Sequence, residues 1–470
     1  MKRFLGTMTA YLLAAVMLAG CGGKGRDSEP EEETDISIEE DIKGGDLEEP
    51  AELPEPEEPP VTVLSDLEAE ITWWTYPIFV QEEGAAEGAY EQELIARFQQ
   101  YYPNIRVNVE ILDYENGPAR VEEAIGAGAM PDVLFDEPGR ILDYGEKGVL
   151  LNLEALFTEE RQADLVSREL LSACRYQDSY VMYPFSMMNY VMAFNKEMLE
   201  TCGAMELINR EGDRTWDTET FGQVLERLNN SGFKGGMLYC SGVAGDYATR
   251  SFLTNLYDTP LMNEDMSAYT FQGEGAVNAL QKAKEWVDGG LMLNGSGVTG
   301  AEAVRQFVEG EVSYTLLWSL PQAISNQAAL EEQGIQVVEM PYPSQDGIPV
   351  LEYIINGFCV FRNNDETRAE AAQYLIDFIC NGEEAGAHVA RTGMLPVRES
   401  LEDVYQGNEQ ALFYEALTPY SGSYYQKVHG FEEMRVYWYQ MVSEVLNGEY
   451  GAQAAAGSFV EYANETRKSQ

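Results

Sequence analysis

Histidine is nearly absent from this chain: His388 and His429 are the only two in 470 residues. Zinc and manganese sites favour clustered histidines with carboxylates, and general acid–base chemistry uses histidine more than any other side chain. Neither histidine has such neighbours in sequence, so no metal is expected. Cysteine is scarce too. After Cys21 come only Cys174, Cys202, Cys240, Cys359 and Cys380, an odd number with no CxxC spacing. A full disulfide framework and a thiolate zinc site are thereby excluded, which leaves buried free thiols with room for one bridge. There is no G-x-S-x-G, H-E-x-x-H or P-loop, so no cofactor is called for and the chain reads as a binder rather than an enzyme. Basic residues are few, 30 against 80 acids, for a net charge of −50. That excludes nucleic acid, whose binding rests on Lys and Arg neutralising phosphates, and electrostatic adherence to anionic lipid. Past the first twenty residues no apolar run approaches the roughly 20 residues that a membrane-spanning helix needs.

What is present begins with an address. Lys2 and Arg3 precede an uncharged stretch from Phe4 to Leu18, the layout of an export signal over 1–20. It closes on Leu18-Ala19-Gly20-Cys21, which resembles the lipobox of bacterial lipoproteins. That resemblance implies cleavage before Cys21 and a lipid on its thiol, anchoring the chain at the outer face of the cytoplasmic membrane. An ordinary export signal followed by an unrelated cysteine shares the earlier features. Residues 21–68 are acidic and proline-rich, as in Glu31-Glu32-Glu33 and Pro54-Glu55-Pro56-Glu57-Glu58-Pro59-Pro60. So little apolar surface cannot offset chain entropy, and a disordered, extended tether is expected. Residues 22–70 carry 19 acids and 3 bases, a balance of −16. With the +2 of the leader set aside, residues 71–470 still hold −36 of the total −50.

A body of about 400 residues exceeds one ordinary core, so two lobes are expected. Ile71-Thr72-Trp73-Trp74-Thr75-Tyr76-Pro77 is rich in β-formers and stops at proline. Leu94, Ile95 and Phe98 with Tyr101 or Tyr102 then form one helix face, ended by Pro103. Ile105, Val107, Val109 and Ile111 alternate with polar residues as a half-covered strand. A second helix includes Val121 to Ile125 and is closed by Gly126 and Gly128, and Asp132-Val133-Leu134-Phe135 is a short buried strand. Farther on, Thr215 is placed to cap a helix whose buried stripe is Phe221, Val224, Leu225 and Leu228. The alternation of strand and helix predicts an α/β lobe with parallel strands, with the ligand beyond their carboxyl ends.

The order of these pieces resembles the extracellular solute-binding proteins of carbohydrate importers, the family of maltose-binding protein. The resemblance runs through Tyr102-Pro103-Asn104-Ile105-Arg106-Val107, Pro131-Asp132-Val133-Leu134-Phe135, Gly148-Val149-Leu150-Leu151-Asn152-Leu153 and Ala193-Phe194-Asn195-Lys196-Glu197-Met198-Leu199. It continues through Thr215-Trp216-Asp217, Phe307-Val308-Glu309-Gly310-Glu311 and Thr392-Gly393-Met394-Leu395-Pro396. It implies an α/β fold of the type II periplasmic-binding-protein kind: two lobes, a ligand cleft and hinge crossings. Lobe 1 is expected over 69–183, lobe 2 over 184–354, a return to lobe 1 over 355–400 and to lobe 2 over 401–470. The first crossing falls at Tyr183-Pro184. The implied role is a monomeric receptor that takes a small ligand, a mono- or oligosaccharide, to the permease of an ABC importer.

A sugar site needs aromatic platforms and polar side chains for the hydroxyls. The cleft candidates are Trp74, Tyr76, Asp136 and Glu137 at strand ends, Tyr239 and Trp318 after later strands, Asn356 and Gly357 near a hinge, and Tyr424 and Tyr425 in a loop. Adjacent tyrosines with His429 nearby raise a ferric-iron receptor as the rival reading. The abundance of carboxylates leaves a surface-anchored glycosidase as a third.

Overall fold

The computed structural model describes residues 62–467 apart from 83, 115, 243–244 and 402–403. The leader, Cys21 and most of the acidic segment lie outside the described residues. The end of that segment belongs to the folded body, contrary to expectation. The Leu64 N–H donates to the Tyr101 carbonyl at 2.9 Å, and Leu67 packs against the core. Leu64 is anchored through its backbone with its side chain exposed, and Leu67 supplies the apolar contact with the core.

The larger sheet has six strands. Ala69–Thr75 lies between Ile105–Ile111 and Val133–Asp136, all three parallel. Val133–Asp136 pairs antiparallel with Tyr353–Val360, which pairs antiparallel with Tyr183–Asn189, and Leu395–Pro396 closes the edge. The helix Glu366–Asn381 packs on the opening strand through the face bearing Ala372, Leu375, Ile376 and Ile379. Gly357 lies between Asp136 and Pro184 where the register with Tyr183–Asn189 shifts. A Cβ at Gly357 would meet the Tyr183 carbonyl oxygen at 2.3 Å, so the strands can approach here only at glycine.

A three-stranded sheet, Tyr314–Trp318, Val191–Asn195 and Val337–Met340, and a parallel pair, Met237–Ser241 with Leu293–Thr299, form the second half. The helices Gly273–Asp288, Phe431–Leu446 and Ala452–Thr466 pack together beside them. The first passage between halves falls at Tyr190, between the strands Tyr183–Asn189 and Val191–Asn195, and not at Tyr183-Pro184. Pro184 sits inside the six-stranded sheet because the register shift opposite it relieves the demand for its missing N–H.

Two local expectations also change. Gly126 lies within the helix Gly117–Ala127, and Gly128, at φ 66°, ends it. Asp217, not Thr215, caps the helix Thr218–Asn230, accepting from the Thr220 N–H at 2.6 Å. Phe221, Val224, Leu225 and Leu228 are its buried stripe. Cys174, Cys202, Cys240, Cys359 and Cys380 are all free thiols, and burial pushes Cys174 well above the usual thiol range.

Candidate functional site

Tyr353–Val360 runs antiparallel to Val133–Asp136 with Gly357 opposite Asp136. Its first residues therefore overhang the carboxyl ends of the parallel strands, together with Met187–Asn189 that pair with them. The first two of the three passages between the halves leave from this place. The candidate cluster lies here, where the end-of-strand rule for parallel α/β sheets places a ligand.

From the first half, Asp136 ends its strand and Glu137 precedes the helix Pro138–Glu146, so Arg140 returns one turn later to face both. Its Nε lies 2.9 and 3.0 Å from the two Asp136 oxygens, and its Nη1 lies 2.8 Å from Glu137 Oε1. The guanidinium sits 5.7 Å from the Tyr76 ring centre. Tyr76 in turn stacks on Tyr114, 5.1 Å between centroids at 12°. The Tyr76 hydroxyl is buried with no partner. Tyr114 is 60 % exposed, and one face of its ring is held by the stack on Tyr76.

From the second half, the helix Asp246–Asn255 supplies Asp246, Tyr247 and Arg250, with Asp246 in the first turn where the helix dipole favours an anion. Arg250 is fully buried. Its Nε and Nη2 reach Glu352 at 2.8 and 2.7 Å, and its Nη1 pairs with Asp246. Arg435, on Phe431–Leu446, reaches Asp246 at 2.8 Å and Glu432 at 2.9 Å. Both guanidiniums lie over Tyr247, at 5.1 and 5.2 Å, and both also lie over Phe431. Tyr247 stacks on Tyr190, 5.4 Å between centroids at 7°. Its hydroxyl donates to Glu137 Oε2 at 3.1 Å, a direct bond from one half to the other.

Five carboxylates thus face three guanidiniums. Glu137 is held below the usual carboxylate range: burial pushes it up, but Arg140, Arg435, the Tyr247 hydroxyl and Arg250 outweigh burial. Glu432 is pushed up, first by burial and then by Glu137, against the pull of Arg435. Each carboxylate is tied to a guanidinium, an arrangement suited to holding a ligand more than to moving a proton. Tyr76, Tyr190 and Tyr247 are buried as the halves stand, and Tyr114 is the exposed phenol, beside charged edges, that can meet a molecule with apolar ring faces and a hydroxylated rim.

Among the residues anticipated from sequence, Tyr76, Asp136 and Glu137 come together here. Tyr425 is half-buried and within electrostatic reach of Glu352 and Arg250. The others lie elsewhere. Trp74 sits under the Arg120 guanidinium at 4.8 Å and lines a depression with Thr72, Pro131 and Arg362, at the strand ends opposite Asp136. Trp318 is fully buried, its Nε1 donating to Glu339 at 3.1 Å and Phe307 edge-on to its ring. Tyr239 is a core residue whose hydroxyl bonds the Gly245 carbonyl and so steadies the start of the helix bearing Asp246. Asn356 donates to the Met394 sulfur at 3.3 Å, and Gly357 serves the strand approach already described. Tyr424 packs on Tyr353 and donates to Gln426 at 2.7 Å, while His429 Nδ1 faces Glu146 at 3.2 Å, so tyrosine and histidine are engaged separately.

Sequence reasoning missed Tyr114, Arg140, Tyr190, Asp246, Tyr247, Arg250, Glu352, Phe431, Glu432 and Arg435. A signal existed. With only 30 basic residues in the chain, three arginines stand three or four places after an acid near a helix start: Asp136 or Glu137 to Arg140, Asp246 to Arg250, and Glu432 to Arg435.

Replacing Tyr247 by phenylalanine keeps the stack on Tyr190 and removes only the bond to Glu137. A hydrogen bond to a charged group contributes about 1.5–3 kcal/mol. The expected outcome is a larger radius of gyration for the unliganded variant in X-ray scattering, with secondary structure unchanged. An unaltered radius would mean that this bond does not hold the halves together.

The sequence profile of the bacterial extracellular solute-binding protein family matches residues 93–413. A putative binding protein of Brucella abortus is 22% identical over 368 residues, covering 76% of this chain and 84% of the relative. The GacH receptor of Streptomyces glaucescens, solved unliganded and with acarbose, superposes with a TM-score of 0.69 at 18% identity, covering 86% of this chain and all of that one. The cyclic α-maltosyl-1,6-maltose binding protein of Arthrobacter globiformis gives the same TM-score, identity and coverage. An ABC substrate-binding protein of Listeria monocytogenes in complex with cycloalternan gives 0.66 at 17% identity, covering 86% of this chain and all of that one. The fold is of the type II periplasmic-binding-protein kind, two α/β lobes about a ligand cleft.

Proposed function

Because this chain belongs to the bacterial extracellular solute-binding protein family, we propose that it captures a small carbohydrate in the cluster at the strand ends and hands it to the permease of an ABC importer. The observation that carries this reading is the pair of tyrosine stacks, Tyr76 on Tyr114 and Tyr190 on Tyr247, set among buried charged edges. Sugar rings stack on such faces, and their hydroxyls exchange hydrogen bonds with carboxylates and guanidiniums. The acarbose, cyclic maltosyl-maltose and cycloalternan of the structural neighbours support an oligosaccharide. The surplus of carboxylates over guanidiniums disfavours an anionic ligand. The chain works as a monomer, and the ligand is released as it was bound. The lobes divide at Tyr190 and near Tyr353. The signal-like leader and Cys21 support a lipid anchor, with 22–61 as the tether to the outer face of the membrane.

A thermal-shift screen of the body against mono- and oligosaccharides tests the reading. A ligand at about one hundred times its Kd stabilises the native state by about 2.7 kcal/mol. Tyr114→Ala then weakens the best ligand by about 1–3 kcal/mol in calorimetry, the scale of a good aromatic contact. It leaves the unliganded melting temperature in place, since most of the residue is exposed. A panel without any shift, or a Tyr114→Ala that binds as the wild type does, would overturn the carbohydrate assignment.

A further inference from the structure

One turn beyond Arg140, away from the ligand cluster, the helix Pro138–Glu146 presents Asp143 and then Glu146. His429, two places before Phe431, meets them from the other half. The ligating atoms of the three side chains lie within 4.8 Å of one another. Asp143 and Glu146 are half-buried, and His429 is exposed. The His429 Nδ1 already faces Glu146 Oε2 at 3.2 Å. The Asp143 carboxylate takes no hydrogen bond from any described side chain. Glu432, Glu433 and Lys147 are the other charged groups near it. Negative charge is in excess at this point, and among the described residues no guanidinium pairs with Asp143 or Glu146.

We propose that Asp143, Glu146 and His429 bind a divalent cation of the zinc or manganese class, which fastens the two halves together behind the ligand cluster. One imidazole with two carboxylates is a donor set for those ions, whereas Ca²⁺ and Mg²⁺ favour all-oxygen shells. Metal bonds of about 2.0–2.2 Å bring ligand atoms to about 3–4 Å from one another. The exposed His429 ring can turn to make up the difference. The two carboxylates neutralise the ion, and Glu432 and Glu433 add to the attraction. The helix it would grip is the one that begins at Glu137 and carries Arg140, and the segment on the far side leads to Glu432 and Arg435. An ion here and a ligand in the cluster therefore favour the same arrangement of the halves, and each raises the affinity of the other.

The test titrates the full chain with ZnCl₂, MnCl₂ and CoCl₂, first alone and then in the presence of excess MgCl₂. The expected result is one ion per chain, no competition from Mg²⁺, and a rise in melting temperature on adding Zn²⁺. His429→Ala and Asp143→Asn each weaken binding about ten-fold or more, since loss of a ligand costs at least as much as loss of its supporting contacts. His429 is exposed, so His429→Ala keeps the unliganded melting temperature, and Asp143→Asn is isosteric. Absence of stoichiometric binding, equal affinity in His429→Ala, or a Co²⁺–thiolate charge-transfer band pointing to Cys202 would each overturn the assignment.

Discussion

Replacing Arg250 by methionine is expected to lower the stability of the body by about 3–5 kcal/mol, the cost of breaking a buried ion pair from one side. Methionine is of similar length, so little cavity is added. What changes is charge. Glu352 loses a two-bond partner at 2.8 and 2.7 Å, and Asp246 keeps only Arg435. Both carboxylates stay buried, and an uncompensated buried charge costs several kcal/mol. Urea denaturation should show a lower midpoint at unchanged slope, since the area exposed on unfolding is the same. The double variant Arg250→Met with Glu352→Gln is expected to recover part of the loss, because it removes the charge left stranded, and the cycle isolates the coupling between the pair. A single variant within 1 kcal/mol of wild type would mean that water reaches Glu352 and that Arg250 is not needed to hold the second-half side of the cluster together.

Trp318→Ala should cost about as much, 3–5 kcal/mol, for a different reason: truncating a buried tryptophan leaves a cavity that its surroundings fill only in part. The ring is fully buried, with Phe307 edge-on at 5.5 Å. Its N–H is one of three donors on a single oxygen of Glu339, the others being Gln410 at 2.9 Å and the Tyr414 hydroxyl at 2.9 Å. Those two partners lie on the helix Glu409–Ala416, so the cluster ties the last part of the chain to the three-stranded sheet. Trp318→Phe refills most of the volume and loses only the donor, for about 1–3 kcal/mol. Affinity for the best ligand, measured on whatever fraction of Trp318→Ala remains folded, should be near that of wild type. A stable variant with weakened binding would return Trp318 to the cleft.

Both results turn on distinctions that sequence patterns do not carry. The α/β alternation was legible because it is a local property. A run of like composition, or a face repeating every two or 3.6 residues, is written in consecutive residues. That Tyr76, Asp136 and Glu137 stand together was legible on the same footing, since the carboxyl end of a parallel strand can be located once the strand is. The helix stripe Phe221, Val224, Leu225 and Leu228 was also local, and it is buried. The cap was misjudged by two residues because Thr215 and Asp217 are both good acceptors and only the backbone decides between them.

Long-range pairing was not legible. Arg250 and Glu352 stand 102 positions apart, and nothing in either neighbourhood names the other. Trp318 failed for a related reason. All five residues of Tyr314–Trp318 are buried, so the strand is covered on both faces and shows no alternation to separate a ring in the core from a ring in the cleft. The sequence by itself determined the family-like order of elements and the strand ends where a ligand could sit, because these follow from composition and period. The tertiary structure alone decided that the halves meet at Tyr190, that Arg140, Arg250 and Arg435 organise the cluster, and which aromatic rings reach it, because each depends on surfaces brought together from distant parts of the chain.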